Sequence, residues 1–225
     1  HASGRLDTLE ELARSVPNIR KTLRYLGPNW RAGSVLSGKA IGRLIEDHLG
    51  DLTFADLDTP TVLVASDLIS GETVLLDKGP VREAIHATIA LPGIFTPVVR
   101  DHQVLIDGGA VMPVPVRPAR ALAPDLPVVA VNLQGDYAAR RKTVGISDMS
   151  ADKLRTIGVI RAATGLMLSG FARQQLALDP PDLEIVMPVG HIDPSNFTRA
   201  GELIRIGRET AEAAIDDIRA LTQQN

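Results

Sequence analysis

Cysteine is absent from the 225 residues, which excludes a disulfide framework, a thiolate nucleophile and any cysteine-held zinc or iron–sulfur centre. A chain without cysteine leans towards the cytoplasm. An excess of charge of one sign is also missing. With 24 Lys and Arg against 27 Asp and Glu the formal charge is -3, and acidic and basic residues alternate, so no field draws in nucleic acid. The most apolar long stretch, 157–171, is interrupted by Arg161 and three glycines and falls short of the ~20 apolar residues that a spanning helix needs. The five histidines, His1, His48, His86, His102 and His191, lie far apart, and none shows the i, i+4 spacing of a helical metal pair. Neither a metal site nor a cofactor is expected. Internal repeats, low-complexity segments and a G-x-S-x-G nucleophile elbow are absent as well.

What is present reads as one globular domain over residues 1–225, with 44% hydrophobic and 23% charged residues, enough to bury a substantial core. His1-Ala2-Ser3-Gly4 reads as the end of a helix with its glycine stop, so the natural start is expected upstream. Asp7 with Glu10 forms a capping box ahead of Leu9, Leu12 and Val16. Ser37 caps a second helix over 38–49. Thr61-Val62-Leu63-Val64-Ala65 is a continuous apolar and β-branched run of the kind covered on both faces, and predicts a central strand. Ser70-Gly71 turns the chain into Thr73-Val74-Leu75-Leu76, and Gly79-Pro80 starts a helix with proline at its first position.

A polar turn at Arg100-Asp101-His102-Gln103 precedes the strand Val104-Leu105-Ile106. A helix over 117–123 and the buried strand Val128-Val129-Ala130-Val131-Asn132-Leu133 follow. That order predicts a βαβ unit with parallel pairing. The polar segment 136–152 lacks periodicity and reads as a mobile loop. A helix over about 153–178 carries Leu154, Ile157, Ile160, Leu168 and Phe171 inward. Leu183 to Met187 is a last strand, and Thr198 caps a final helix running to Leu221.

The strongest local signal for chemistry is Ile106-Asp107-Gly108-Gly109. A carboxylate at the C-terminal end of an apolar strand sits where open α/β sheets bind ligands, and the glycines let the backbone turn sharply. Burial beside Leu105 and Ile106 would raise its pKa, as a proton acceptor near neutrality requires. The plain alternative is an aspartate in a tight turn, where Asp-Gly is common. The segment Gly33-Ser34-Val35-Leu36-Ser37-Gly38-Lys39-Ala40 approaches a phosphate loop. It fails at Ala40, which lacks the magnesium-binding hydroxyl, and in having no preceding strand. A helix cap explains Ser37 better.

Ala65-Ser66-Asp67-Leu68, Ser70-Gly71-Glu72, Ala90-Leu91-Pro92-Gly93-Ile94-Phe95-Thr96-Pro97-Val98 and Asp107-Gly108-Gly109 occur in this order. Together they resemble the bacterial patatin-like phospholipases, in the cytoplasmic branch similar to the esterase domain of neuropathy target esterase. Leu36-Ser37-Gly38-Lys39 and Asp179-Pro180-Pro181-Asp182 also fit, so the resemblance runs over nearly the whole chain. It implies a three-layer α/β/α hydrolase fold with a mostly parallel central sheet, here without its N-terminal strands. It also implies a Ser-Asp dyad acting on a lipid or ester substrate, with Asp107 as base, Gly108 and Gly109 shaping its turn, and Pro92, Gly93, Phe95 and Pro97 lining an acyl pocket. The serine elbow and the glycine-rich oxyanion loop are expected upstream of His1, and these residues alone are expected to be inactive. The competing reading is a non-catalytic scaffold of the same fold that binds lipid or a protein partner. Peripheral membrane contact is compatible with a lipid substrate, although no basic amphipathic helix argues for it. Oligomeric state is not readable from the sequence.

Overall fold

The computed structural model describes residues 4, 6–15, 45–92, 95–136, 156–192 and 197–223. They group into two compact units, His1–Met112 and Pro113–Asn225. The phosphate-loop-like stretch 33–40, Gly93, and all but the first residue of the loop expected over 136–152 lie outside the described residues.

The first unit begins with helix α1 (Leu6–Ser15). Asp7 lies inside its first turn rather than at its cap, where its charge favours the helix dipole. The described part of the next expected helix, residues 45–49, is helical. The core of this unit is a four-stranded sheet of β1 (Leu63–Asp67), β2 (Thr73–Leu76), β3 (Val98–Arg100) and β4 (Gln103–Asp107), in the order β2-β1-β4-β3. As the apolar run predicts, β1 is central, paired with β2 on one side and β4 on the other, and buried at four of its five positions. Helix α2 (Val81–Thr88) starts where expected, with Pro80 as its extended cap residue and not its first helical position. Its Ala84 and Ala87 pack against Ala65, Leu76 and Leu105, with Phe54, Leu63, Val74 and Val98 around them. Small residues on the helix let it sit close to the sheet.

The chain is α/β, but its larger sheet corrects the expectation of a mostly parallel one, because every pair in it is antiparallel. The reason lies in the connections. β3 and β4 are joined through only Asp101 and His102, both at positive φ (49° and 65°), the backbone of a tight two-residue hairpin. β1 and β2 are joined through the five residues 68–72, which include the Ser70-Gly71 turn, and links this short permit only antiparallel neighbours. A run such as Leu63-Val64-Ala65 looks the same in either sheet type once both faces are covered.

In the second unit, helix α3 (Val116–Leu122) leads to β5 (Val129–Asn132), and helix α4 (Thr156–Leu178) leads to β6 (Leu183–Val186). β5 and β6 pair in parallel, Val129 opposite Leu183 through Asn132 opposite Val186. The parallel βαβ unit expected to end at β5 is formed instead by β5 and β6, with α4 between them. β5 is covered on one face only. Ala130 and Asn132 are buried, while Val131 and Leu133 are exposed. Val128 and Ala130 pack with Val114, Val116, Ala172 and Leu176.

Phe171, expected to point inward, is 45% exposed. The buried line of α4 runs instead through Ser169 and Ala172, small residues that admit a close neighbour. Asp182 accepts the Val128 N–H (2.7 Å) and lies 3.3 Å from the Arg120 guanidinium, which also donates to the Pro180 carbonyl (2.9 Å). The end of α4 is thereby clasped to α3 and β5. The single final helix expected to Leu221 is two helices, α5 (Ala200–Ala213) and α6 (Ile215–Gln223). Thr210 turns its hydroxyl back onto the Ile206 carbonyl (2.8 Å), a bond that bends helices. Asp216 and Asp217 then favour a fresh N-terminus. The cap of α5 is Arg199, after a 3-10 turn over Phe197–Arg199, and not Thr198.

Candidate functional site

Asp107 is the last residue of β4, opposite Ala65 of β1. Its backbone N–H donates to the Ala90 carbonyl (3.0 Å), which ties the strand end to the segment leaving α2. Its carboxylate accepts the Gly109 N–H (2.7 Å) and so caps the 3-10 turn Gly108–Ala110. The side chain is half-buried, and its neighbours along the strand, Leu105 and Ile106, are buried. Burial pushes the Asp107 carboxyl above the usual aspartate value. The Gly109 hydrogen bond pulls the other way and is the smaller influence. A carboxylate so placed is more basic than one in water and keeps an oxygen lone pair for a further donor.

The glycine after it is required by contact. A Cβ on Gly108 would run into the backbone carbonyl of Val64, which already accepts the Thr88 hydroxyl (2.5 Å). Gly109 is different, since a Cβ there would come 2.8 Å from Oδ1 of Asp107 itself. The first glycine lets β4 end against β1, and the second leaves room for the carboxylate.

Of the residues expected to line an acyl pocket, Pro92 is exposed, Phe95 is buried and Pro97 is half-buried, while Gly93 lies outside the described residues. The Phe95 N–H donates to the Leu91 carbonyl (3.0 Å). With the bond from Asp107 to Ala90, this brings the 90–97 motif and the Asp107-Gly108-Gly109 motif together at one end of the sheet.

The residue that sequence reasoning undervalued is Asp67. Its carboxylate accepts from the Val104 N–H (3.0 Å), the Ser70 hydroxyl (2.8 Å) and the N–H groups of Ile69 and Ser70 (3.2 and 3.3 Å). These bonds, the Ser70 hydroxyl foremost, hold the carboxyl below the usual aspartate value. Asp67 therefore ties the β1–β2 turn to β4, and so sets the register of the strand that carries Asp107. The signal was Asp67 three residues before Ser70, the spacing at which an Asp side chain caps its own turn.

Among the described residues no three His, Asp or Glu side chains converge where a metal could be held. His102 sits at the hairpin tip and His191 lies 3.4 Å from Glu202. No described helix is long and apolar enough to cross a membrane.

The profile of the patatin-like phospholipase family matches residues 5–120. That span contains Asp107 and its glycines and excludes the 179–182 clasp. Uncharacterized NTE family proteins of Mycobacterium tuberculosis (strain H37Rv) and Mycobacterium bovis are each 37% identical over 138 residues, covering 61% of this chain. A further uncharacterized NTE family protein of Mycobacterium tuberculosis is 32% identical over 72 residues, covering 32% of this chain and 12% of its own length. The chain spans only 38% of the length of the first two relatives. With just over half of its 225 residues matched by the family profile, this chain belongs to the patatin-like phospholipase family.

Proposed function

We propose that Asp107 is the general base of a lipid acyl hydrolase. In this reading it takes the proton of a serine hydroxyl as that oxygen attacks an ester carbonyl. The proton then passes to the departing alcohol, and water activated in the same way releases the acyl group. The observation that carries the reading is the environment of one side chain. A half-buried carboxylate at a strand tip is held by a single backbone N–H, and burial shifts its pKa upward. Structural turn aspartates show the opposite pattern, which Asp67 illustrates in the same sheet. The serine would come from residues outside these 225, which hold no G-x-S-x-G.

The test uses the complete gene product and a short p-nitrophenyl ester. Asp107→Asn should lower kcat at least about a hundredfold. In the unsubstituted enzyme kcat/KM should rise with pH through a value above that of an ordinary aspartate and then level off. Turnover retained in Asp107→Asn would reject the role. An upstream coding sequence without a serine elbow would favour the non-catalytic scaffold.

A further inference from the structure

Thr88 closes helix α2, and its hydroxyl is turned away from its own helix. A threonine in a helix ordinarily donates to a carbonyl one turn back, as Thr210 does in α5. Thr88 instead donates to the Val64 carbonyl of β1, 24 residues away in the chain, at 2.5 Å.

That carbonyl lies under the corner that carries Asp107. Pairing between β1 and β4 ends at Ala65 and Asp107, and the chain then folds back in the turn Gly108–Ala110. Gly108 sits so close to the Val64 carbonyl that a Cβ would collide with it. The position of this oxygen therefore sets how near Gly108 approaches β1, and with it the direction in which Asp107 leaves the strand. Two further ties hold the same corner. The Asp107 N–H reaches the Ala90 carbonyl (3.0 Å), and the buried Ser66 hydroxyl reaches the Gly108 carbonyl at 3.4 Å. Of the three bonds the one from Thr88 is the shortest. Thr88 and Ala90 lie two residues apart at the exit of α2, so the end of this helix grips the corner from β1 and from β4 at once.

We infer that Thr88 is a positioning residue for Asp107. Its hydroxyl pins the Val64 carbonyl against which Gly108 rests, and so holds the carboxylate where it takes up a proton. The inference rests on the hydrolase reading of Asp107. Thr88 itself takes no proton and acts through Asp107 alone.

Thr88→Val keeps the shape of the side chain and removes the hydroxyl, whereas Thr88→Ser keeps the hydroxyl. Both are made in the complete gene product and assayed with the p-nitrophenyl ester well below the melting temperature. Thr88→Val should lower kcat about tenfold with KM within about twofold of the parent value, and Thr88→Ser should restore most of the loss. Thr210→Val, which removes a hydroxyl-to-carbonyl bond from α5, should leave kcat unchanged. In an Asp107→Asn background Thr88→Val should cost nothing further, because a residue that works through the carboxylate has nothing left to position. Parent-like kcat in Thr88→Val overturns the inference. So does a loss that serine does not restore, that Thr210→Val reproduces, or that recurs in full in the Asp107→Asn background. Should valine prevent folding, Thr88→Ala is read in its place by the same outcomes. Turnover retained in Asp107→Asn would overturn the hydrolase reading and this inference with it, whereas parent-like kcat in Thr88→Val beside an inactive Asp107→Asn would overturn the role of Thr88 alone.

Discussion

Removing the charge of Asp107 separates its two contributions. The folded state binds the Asp107 proton more tightly than the unfolded chain does, because burial raises its pKa. Stability is therefore lost as pH rises from about 4 through the raised value, and the ionised group opposes folding at neutral pH. Asp107→Asn keeps an acceptor for the Gly109 N–H without the charge. Its melting temperature at pH 7 should equal or exceed that of the parent, even as ester turnover disappears. A clear fall in a thermal melt would mark the aspartate as structural. The two glycines should separate in the same assays. Gly108→Ala meets backbone at Val64 and should cost about 1–3 kcal/mol. Gly109→Ala meets only the Asp107 carboxylate. It should cost less in stability yet reduce turnover by up to about a hundredfold, as a displaced catalytic group does.

The elements around that carboxylate are set by two turns and one buried leucine. Asp67→Ala leaves the Val104 N–H and the Ser70 hydroxyl without their acceptor, so it should lower the melting temperature, and Asp67→Asn should recover part of the loss. At the β3–β4 turn His102 holds a φ of 65°, a conformation in which a side chain is strained and glycine is not. His102→Gly should raise stability in urea titrations by about 1 kcal/mol. Leu105 is 1% exposed between the sheet and α2, and Leu105→Ala should cost about 2–5 kcal/mol. The β3–β4 turn was legible as the polar run Arg100-Asp101-His102-Gln103 before an apolar strand, whereas its positive-φ, two-residue form was not, because Asp101-His102 contains no glycine to announce it. The β1–β2 turn was legible because Ser70-Gly71 does. The break between α5 and α6 was hidden, since neither glycine nor proline marks Ala214 and the Thr210 back-bond needs coordinates to be seen.

Across the whole molecule, buried and hydrogen-bonded groups predict a two-stage loss of stability in acid. Burial lowers the His86 pKa, so the unfolded chain takes up that proton first. Stability therefore falls as pH drops below about 6.5 towards the lower folded value. Asp56, Asp67, Asp182 and Glu202 are held below their usual pKa by hydrogen bonds. Their contribution is present above about pH 4 and is lost as pH falls through the depressed values. Melting temperature measured against pH should show both stages. His86→Phe should flatten the first and leave the second, and an unchanged first stage in that variant would assign it to another group.

The sequence by itself determined what depends on neighbours along the chain. It placed β1 as a buried central strand, Pro80 at a helix start, and Asp107 at a strand tip with glycines behind it, because composition, period and turn chemistry are local properties. Tertiary structure decided which strands pair and in what sense. It put Asp107 opposite Ala65, used Asp67 to tie a turn to β4, and left the buried Nε2 of His86 without a hydrogen-bond partner. Those outcomes come from contacts between residues distant in the chain, and an apolar run such as Leu63-Val64-Ala65 carries no mark of its partner's direction. Burial of the Asp107 carboxylate belongs to the same class, since the shift of its pKa arises from the folded surroundings that exclude water.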